Sequence, residues 1–210
     1  MIKLNKYGIV LSQIQVCHIE MLREWRNRDE IRRMMQKSDV ITSEQQKEWF
    51  QKINENHDLY FIYEEVGVVH LKNIEWNEGK AEAGIFASSS ELSTSIQSIK
   101  AILVLMDFAF GAMGLKTLEA KVKDDNKSVI DLNLALGYEF SQRESNEFCR
   151  YQCFPENYTN ATAKWHAHFS KMGNEKENIL HVKYSSESMI ATQLHQVDGF
   201  LFRAEPLFPL

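Results

Sequence analysis

KAEAGIFASSSELSTSIQSIKAILVLMDFAFGAMGLKTLEAKVKDDNKSVIDLNLALGYEF, residues 80–140, is the stretch whose reading decides the fold. Its first eight residues, Lys80–Ala87, are short and mostly apolar, as a strand requires, and the polar run SSSELSTS follows them. Apolar residues then return at Ile99, Ile102, Leu103, Met106, Ala109, Phe110 and Met113. That i, i+3, i+4, i+7 spacing lays one greasy stripe along a helix. Gly114 stands where such a helix would stop in a left-handed cap. Lys116–Val122 reads as a second strand, Asn126–Leu136 as a short helix ended by Gly137, and a third strand runs on to Phe140.

The turn before the long helix is where chemistry would collect. A helix start offers unpaired N–H groups and the positive end of the macrodipole. A strand feeding straight into it makes a cradle for phosphate. Ser93, Thr94 and Ser95 add hydroxyl donors there. Ser and Thr are equally ordinary N-caps, so the turn alone supports both readings.

Upstream, Tyr7–Gln15 reads as a first strand and Ile19–Asn27 as a helix with Met21, Leu22 and Trp25 on its apolar side. Asp29 can cap a second turn over Glu30–Met35. Ser43, followed three residues later by Gln46, is a capping-box pattern that opens a helix through about Asn56. Leu59–Glu64 and Val66–Ile74 are expected to pair as a hairpin. Trp76–Gly79 then turns the chain into the Lys80 strand.

Downstream, Pro155 marks a boundary between residues 1–154 and a segment, 155–210, that reads as an extension. Within it Tyr158–Met172 is an expected helix, with Trp165 and Phe169 on one side. Ile179–Tyr184, Met189–Gln193 and Gly199–Ala204 are expected short strands. The segment would lid a cleft, form a dimer interface or complete the core, and the first two are favoured.

The bulk properties narrow the classes. A chain of 210 residues with 44% apolar and 11% aromatic residues can bury a real core. A net charge of −5 argues against nucleic acid and membrane surfaces as partners. No charged-then-apolar leader and no apolar run of membrane-spanning length are visible. Cys17, Cys149 and Cys153 are few and odd in number, which suits a reducing cytoplasm.

The order strand, phosphate loop, long helix, strand, then D-N-K-S and L-G-Y resembles the acetyl-CoA-binding half of the GNAT (Gcn5-related) N-acetyltransferases. Asn126 and Gly137 fall where that superfamily has its Asn and its terminal Gly. In the first half, Glu24-Trp25-Arg26-Asn27, Glu30-Ile31-Arg32, Met35, Ile41-Thr42-Ser43-Glu44 and Trp49-Phe50 resemble a narrower branch. That branch acetylates the 4-amino group of a UDP-linked amino sugar in pseudaminic acid biosynthesis. Gly67-Val68-Val69, Asn73-Ile74-Glu75 and Ala81-Glu82-Ala83-Gly84 continue the match, which covers residues 1 to about 154.

Two positions depart from the family pattern. Its Gly-rich R/K-G-x-G-S core falls on Thr94, Ser95, Ile96, Gln97 and Ser98, where no Gly remains. Glycine permits close backbone approach and positive φ, so this loop must use a different geometry or bind more loosely. The Tyr or His that protonates the departing thiolate is replaced by Asn133. Asparagine cannot donate a proton at neutral pH, though it can hydrogen-bond the sulfur.

The resemblance implies roles for particular residues. Ile85, Phe86 and Ala87 would bind the pantetheine arm and the oxyanion through their backbone, while their side chains fill the sheet core. Thr94, Ser95, Ile96, Gln97 and Ser98 would take the pyrophosphate, and Asn126 either contacts acetyl-CoA or caps the short helix. Glu82 is the candidate general base or a solvent-facing strand residue, with Glu75 the second candidate. Tyr138 is a substitute acid or a core residue, and core is favoured. Arg26 either faces nucleotide phosphates, since a guanidinium forks onto such oxygens, or pairs with Glu30. Met34 and Met35 line a sugar pocket or fill core. His166 and His168 flank Ala167, a spacing that sends them to different faces of a helix, and no Cys partner follows the zinc spacing, so no metal is expected.

The reading is an α/β GNAT acyl-CoA N-acyltransferase fold, a mixed central sheet flanked by helices, with a C-terminal extension. The expected activity moves acetyl from acetyl-CoA to a small-molecule primary amine, preferably on a nucleotide-linked amino sugar, in a cytoplasmic enzyme that could be a homodimer. The alternatives are a protein or peptide amine of the ribosomal-protein type and a non-catalytic CoA-binding scaffold. An acidic acceptor cleft would favour the peptide. A basic patch around Arg26 beside an aromatic shelf would favour the nucleotide sugar.

Overall fold

Ten strands line up in one sheet in a computed structural model of the chain, which describes residues 1–35, 39–173, 175–194, 197 and 199–207. In chain order they are β1 (Ile2–Lys6), β2 (Ile9–Gln13), β3 (Leu59–Tyr63), β4 (Gly67–Glu75), β5 (Lys80–Ala87), β6 (Thr117–Lys123), β7 (Glu139–Arg143), β8 (Phe148–Cys153), β9 (Leu180–Tyr184) and β10 (Phe202–Pro206). Their order across the sheet is β10-β9-β1-β2-β3-β4-β5-β6-β8-β7. Neighbours are antiparallel except β5–β6 and β9–β10, which are parallel, so the sheet is mixed. The principal helices are α1 (Ile19–Asn27), α2 (Asp29–Arg32), α3 (Ser43–Glu55), α4 (Ile96–Asp107), α5 (Lys127–Ala135) and α6 (Pro155–Met172).

Helix α4 is the spine of the larger core. From Ala101 to Phe110 every side chain is buried, the signature of a helix covered on all sides. A π-helical turn, Phe108–Ala112, continues it, and Gly114 at φ +65° ends it in the left-handed region. Leu4, Leu11, Phe61, Leu71, Ala81, Ala83 and Leu118 meet it from the sheet. The opposite sheet face carries a smaller cluster of Ile14, Leu22, Trp25, Ile53, Tyr60, Ile62 and Val68 under α1 and α3, and Phe86 packs there. Because strand side chains alternate, β5 sends Ala81, Ala83 and Ile85 to α4. It turns Glu82, Gly84 and Phe86 to the other face.

Several elements differ from the expected ones. Tyr7–Gln15 is not one strand, since Tyr7 (φ +55°) and Gly8 (φ +74°) make the turn of the β1–β2 hairpin. Two consecutive positive φ values are what a two-residue hairpin turn demands. The cap of α3 is Thr42 rather than Ser43. Gln45 N donates to Thr42 Oγ1 at 3.2 Å, and Thr42 N donates to Gln45 Oε1 at 2.9 Å. The segment Met189–Thr192 is a 3-10 turn that buries Ile190, not a strand.

Residues beyond Pro155 join the same core. Strand β9 pairs with β1 (Ile2 opposite Tyr184) and β10 pairs with β9. Tyr158, Phe169, Leu180, Val182 and Ile190 enter the α4 cluster. A buried polar knot ties α6 to α4: Lys6 Nζ lies 2.6 Å from Asp107 Oδ2, and Tyr158 OH donates to Asp107 Oδ1 at 2.7 Å. Tyr7 OH and His166 Nδ1 are 2.5 Å apart.

Asp107 is 4% exposed, so removing its cation leaves a buried carboxylate uncompensated, a change that costs about 3–5 kcal/mol. Lys6→Met should lower the urea midpoint accordingly at unchanged m-value, read by circular dichroism.

Candidate active site

Strands β5 and β6 bond at Lys80↔Thr117, Ala81↔Leu118 and Glu82↔Glu119, and then part. Each keeps its outer neighbour. Strand β5 stays on β4 as far as Ala87↔Gly67, and β6 stays on β8 as far as Lys123↔Phe148. The result is a wedge whose walls are free strand edges. A cavity of about 300 Å³ fills it, lined by Gly84–Ala87, Lys121–Lys123, Asn126, Val129 and Phe148, with Ile31, Met34 and Met35 from the α2 side. A smaller cavity of about 70 Å³ continues between the strands to Ile102, Leu132, Asn133 and Tyr138.

Ile85, Phe86 and Ala87 therefore line the wedge, as do Asn126 and Met35. Asn126 Oδ1 caps α5, accepting from Val129 N at 3.4 Å and from Ser128 Oγ at 3.2 Å. Its amide still borders the cavity. Asn133 and Tyr138 stand at the floor, both buried. Asn133 is 8% exposed, and its Nδ2 has no acceptor among the described residues. A buried donor left unpaired costs about 1–3 kcal/mol, a cost that a ligand acceptor in the floor cavity would remove. Burial pushes the Tyr138 phenol well above its ordinary value, which keeps it protonated and makes it a reluctant acid.

The loop from β5 to α4 holds a short 3-10 turn, Glu91–Thr94, and Ser95 caps α4, accepting from Ser98 N at 3.2 Å. Ser98 is turned inward and fully buried. Its hydroxyl lies 2.8 Å from Tyr63 OH and donates to Leu92 O at 2.6 Å, so it stands apart from the exposed Thr94, Ile96 and Gln97. The N–H groups of Ile96 and Gln97, at the mouth of a twelve-residue helix, have no acceptor among the described residues. Ser90 and Ser93, not Thr94–Ser98, border the cavity itself. Arg28 donates to Ser88 O and Ser90 Oγ donates to Glu30 Oε2, which stitches α2 to this loop.

Glu82 lines the cavity where the strands part, 2.8 Å from Lys72 Nζ and 3.4 Å from Asn73 Nδ2. Glu75 lies farther out, exposed and 3.2 Å from Lys80 Nζ. Both border a separate acidic cavity of about 610 Å³ that also takes in Asp58, Glu119 and Arg150. Asp58 accepts from Asn73 N at 2.9 Å, and burial raises its pKa. Arg26 lines none of these cavities and makes no pair with Glu30 among the described residues. Its guanidinium packs 5.8 Å from the Trp49 ring centre, and that burial lowers its pKa. No group of His, Cys, Asp or Glu suited to a metal occurs among the described residues.

One cavity residue carries no signal in the sequence. His70 on β4 faces Gly84 across the β4–β5 pair, and its ring stacks on Tyr60 at 4.8 Å and 18°. Tyr60 in turn meets Trp49 edge-on at 5.1 Å. Burial first, then the charges of Lys72 and Arg26, lower the His70 pKa to about 3.

The open edge of β5, the free N–H groups of Ile96 and Gln97, and the orphaned Asn133 amide suit an acyl-CoA: an arm along a strand, a pyrophosphate at a helix mouth, and a sulfur at the floor. The sequence comparisons agree. The family described as acetyltransferase (GNAT) domain matches residues 9–139. The chain belongs to that family, and it is an acetyl-CoA-dependent N-acetyltransferase. Comparison with curated protein sequences finds no match.

Among solved structures, the spermidine N-acetyltransferase of Vibrio cholerae, in complex with CoA and spermine, is similar at TM-score 0.63 and 17% identity, covering 72% of this chain and 98% of that one. A domain from Methanocaldococcus jannaschii DSM 2661 is similar at TM-score 0.60 and 21% identity, covering 70% and 97%. A dodecameric form of the Vibrio cholerae enzyme matches at TM-score 0.56 and 16% identity, covering 72% and 96%. No helix among the described residues is long and apolar enough to cross a membrane.

The buried histidines set an acid limit. Burial lowers the His166 pKa as well as that of His70. In the unfolded chain both take a proton near 6.5, while the folded chain keeps them neutral below that, so unfolding takes up protons. Their contribution is whole above about 6.5 and drains away as pH falls toward the folded values. The urea midpoint should therefore fall steadily between about pH 7 and about pH 4. The fall should be shallower in His70→Phe.

Proposed function

We propose that this enzyme acetylates the amine of a nucleotide-linked amino sugar, with acetyl-CoA threaded through the β5–β6 wedge. The observation that carries acetyl transfer is the wedge itself, whose free strand edge leads from the mouth of α4 to the unpartnered amide of Asn133. Acetyl-CoA supplies a thioester carbonyl for attack. The backbone of Ile85–Ala87 would hold the pantetheine arm and offer an N–H to the oxyanion. Thr94, Ser95, Ile96 and Gln97 would surround the pyrophosphate, with Ile96 and Gln97 giving N–H donors, and Ser98 would only brace the turn. Asn126 would reach the arm from the far wall.

Holding amine and thioester in line can be worth roughly 7–11 kcal/mol of barrier. Asn133 Nδ2 would hydrogen-bond the sulfur as charge gathers there. It stabilises the thiolate without protonating it, so the proton that completes the CoA thiol would come from solvent or from Tyr138. Glu82 would take the amine proton directly or through water, with Glu75 as its reserve.

The sugar acceptor is supported by the Glu24–Asn27 and Ile41–Glu44 resemblance and by the apolar Ile31, Met34 and Met35 and the cation Lys123 lining one cavity, though not by Arg26, which lies outside it. A second reading, a cationic polyamine or peptide amine, is favoured by the acidic cavity around Asp58, Glu75 and Glu119. The neighbour bound to spermine lends it support. In either case we place the protein in the cytoplasm as a homodimer, with segment 155–210 as part of the folded body.

A thiol-release assay with acetyl-CoA should show turnover on a UDP-linked 4-amino sugar in preference to spermidine or a lysine peptide. The reverse preference would move the acceptor to the second reading. A hydrogen bond to a charged group contributes about 1.5–3 kcal/mol, so Asn133→Ala should lower kcat about 10- to 100-fold with acetyl-CoA affinity unchanged. Glu82→Gln should lower turnover at neutral pH in the same selective way. An unchanged rate would shift the base role to Glu75 or water.

A further inference from the structure

We infer that His70 is the positioning residue for the acceptor amine, presenting its Nε2 where β5 and β6 part; this rests on the acetyl-transfer reading above. The ring sits opposite Gly84, two residues beyond the last β5–β6 pair at Glu82. A Cβ on Gly84 would lie 2.4 Å from His70 Cε1 and 2.6 Å from Nε2. Only a residue without a side chain lets the imidazole lie this close to the β5 backbone, so Gly84 is the notch that seats it.

Three further observations separate His70 from an ordinary core aromatic. Its orientation is clamped by the column Tyr60–Trp49, capped by Arg26. Nδ1 is sealed without a partner, and no hydrogen bond to either ring nitrogen occurs among the described residues. Nε2 lies over Gly84, which itself lines both wedge cavities. A stack alone would be served as well by Phe, with no nitrogen to desolvate.

The charged groups around it are already engaged. Lys72 on the same strand pairs with Glu82, and Lys121 on β6 pairs with Glu144 at 2.5 Å. Arg26 is held over Trp49. In that setting the ring stays neutral and keeps a lone pair. A nucleophilic amine must also be neutral, with its own lone pair aimed at the thioester carbonyl. An immobile acceptor that takes one amine N–H fixes that aim. Glu82, tied to Lys72 and Asn73, suits removal of the proton, and His70 suits alignment of what remains.

The test uses His70→Phe, His70→Gln and His70→Asn, with acetyl-CoA and whichever of the UDP-linked 4-amino sugar or spermidine the wild type turns over. A Gln amide reaches the Nε2 position and an Asn amide the Nδ1 position. We expect His70→Phe to lose about 100-fold in kcat/KM for the amine, with acetyl-CoA affinity measured by calorimetry unchanged. His70→Gln should recover most of the loss, and His70→Asn should not.

A His70→Phe enzyme as fast as wild type would overturn the inference. So would a loss matched by equally weakened acetyl-CoA binding. If His70→Phe fails to fold, equal rates for the Gln and Asn variants would overturn it. Wild type inert on every amine would bring down the acetyl-transfer reading as well. Active wild type with an indifferent His70 brings down this inference alone.

Discussion

Two strands stop bonding after Glu82 and Glu119, and the site exists because of that parting. Free strand edges are costly, since each leaves N–H and C=O groups in search of partners. Here the cost is tolerable because β5 and β6 each remain anchored on their other side, to β4 and β8. Ser88 N donates to Val66 O at 2.7 Å just past the end of β5, which holds that strand against β4 to its tip. The wedge is thus a rigid opening between two braced walls. An extended, amide-rich chain such as pantetheine can complete it as an added strand.

Charge on the open face is organised in rows. Lys72 pairs with Glu82, Arg150 bridges Glu119 and Glu144, and Glu144 also meets Lys121. These pairs hold side chains in register along β4, β5, β6 and β8. The two ends differ: among the described residues Asp58 makes no ion pair on the acidic side, while Lys123, on the α2 side, lies 3.8 Å from Asp125 Oδ2 and donates to Arg33 O at 3.3 Å. The two ends therefore present opposite fields, one suited to an ammonium and the other to a phosphate.

Much of this architecture was legible in the sequence where one local rule dominated. The stripe from Ile99 to Met113 gave α4, Gly114 gave its end, and the apolar run Lys80–Ala87 gave β5. Elements held mainly by tertiary pairing were not. Strand β8, which no expectation covered, is held by β6 on one side and β7 on the other, and β7, exposed along its whole length, runs past the expected end at Phe140 to Arg143 because β8 pairs with it. Ile190 looked like a strand residue, but it is one apolar side chain pinned into the core by a turn.

The site was legible unevenly for the same reason. Asn133 and Glu82 were singled out by the pattern of their neighbours, and both border the wedge cavities. His70 is a lone histidine in an apolar strand, and its meaning depends on Gly84, fourteen positions later and visible only once β4 and β5 are in register. Ser98 was read as a phosphate contact because its position suggested one. Tyr63, on another strand, draws its hydroxyl inward.

The pairing of β1 with β9 joins residues 2–6 to residues 180–184. During synthesis at about 5–20 residues per second, β1 waits roughly ten seconds or more for that neighbour to emerge. Through that interval the edge of β1 that β9 will cover leaves its backbone N–H and C=O groups unpaired, an unsatisfied template of the kind that recruits strangers. A cell making this protein in quantity has reason to shield β1 until β9 emerges, and translation products that stop before β9 should be the species that clump.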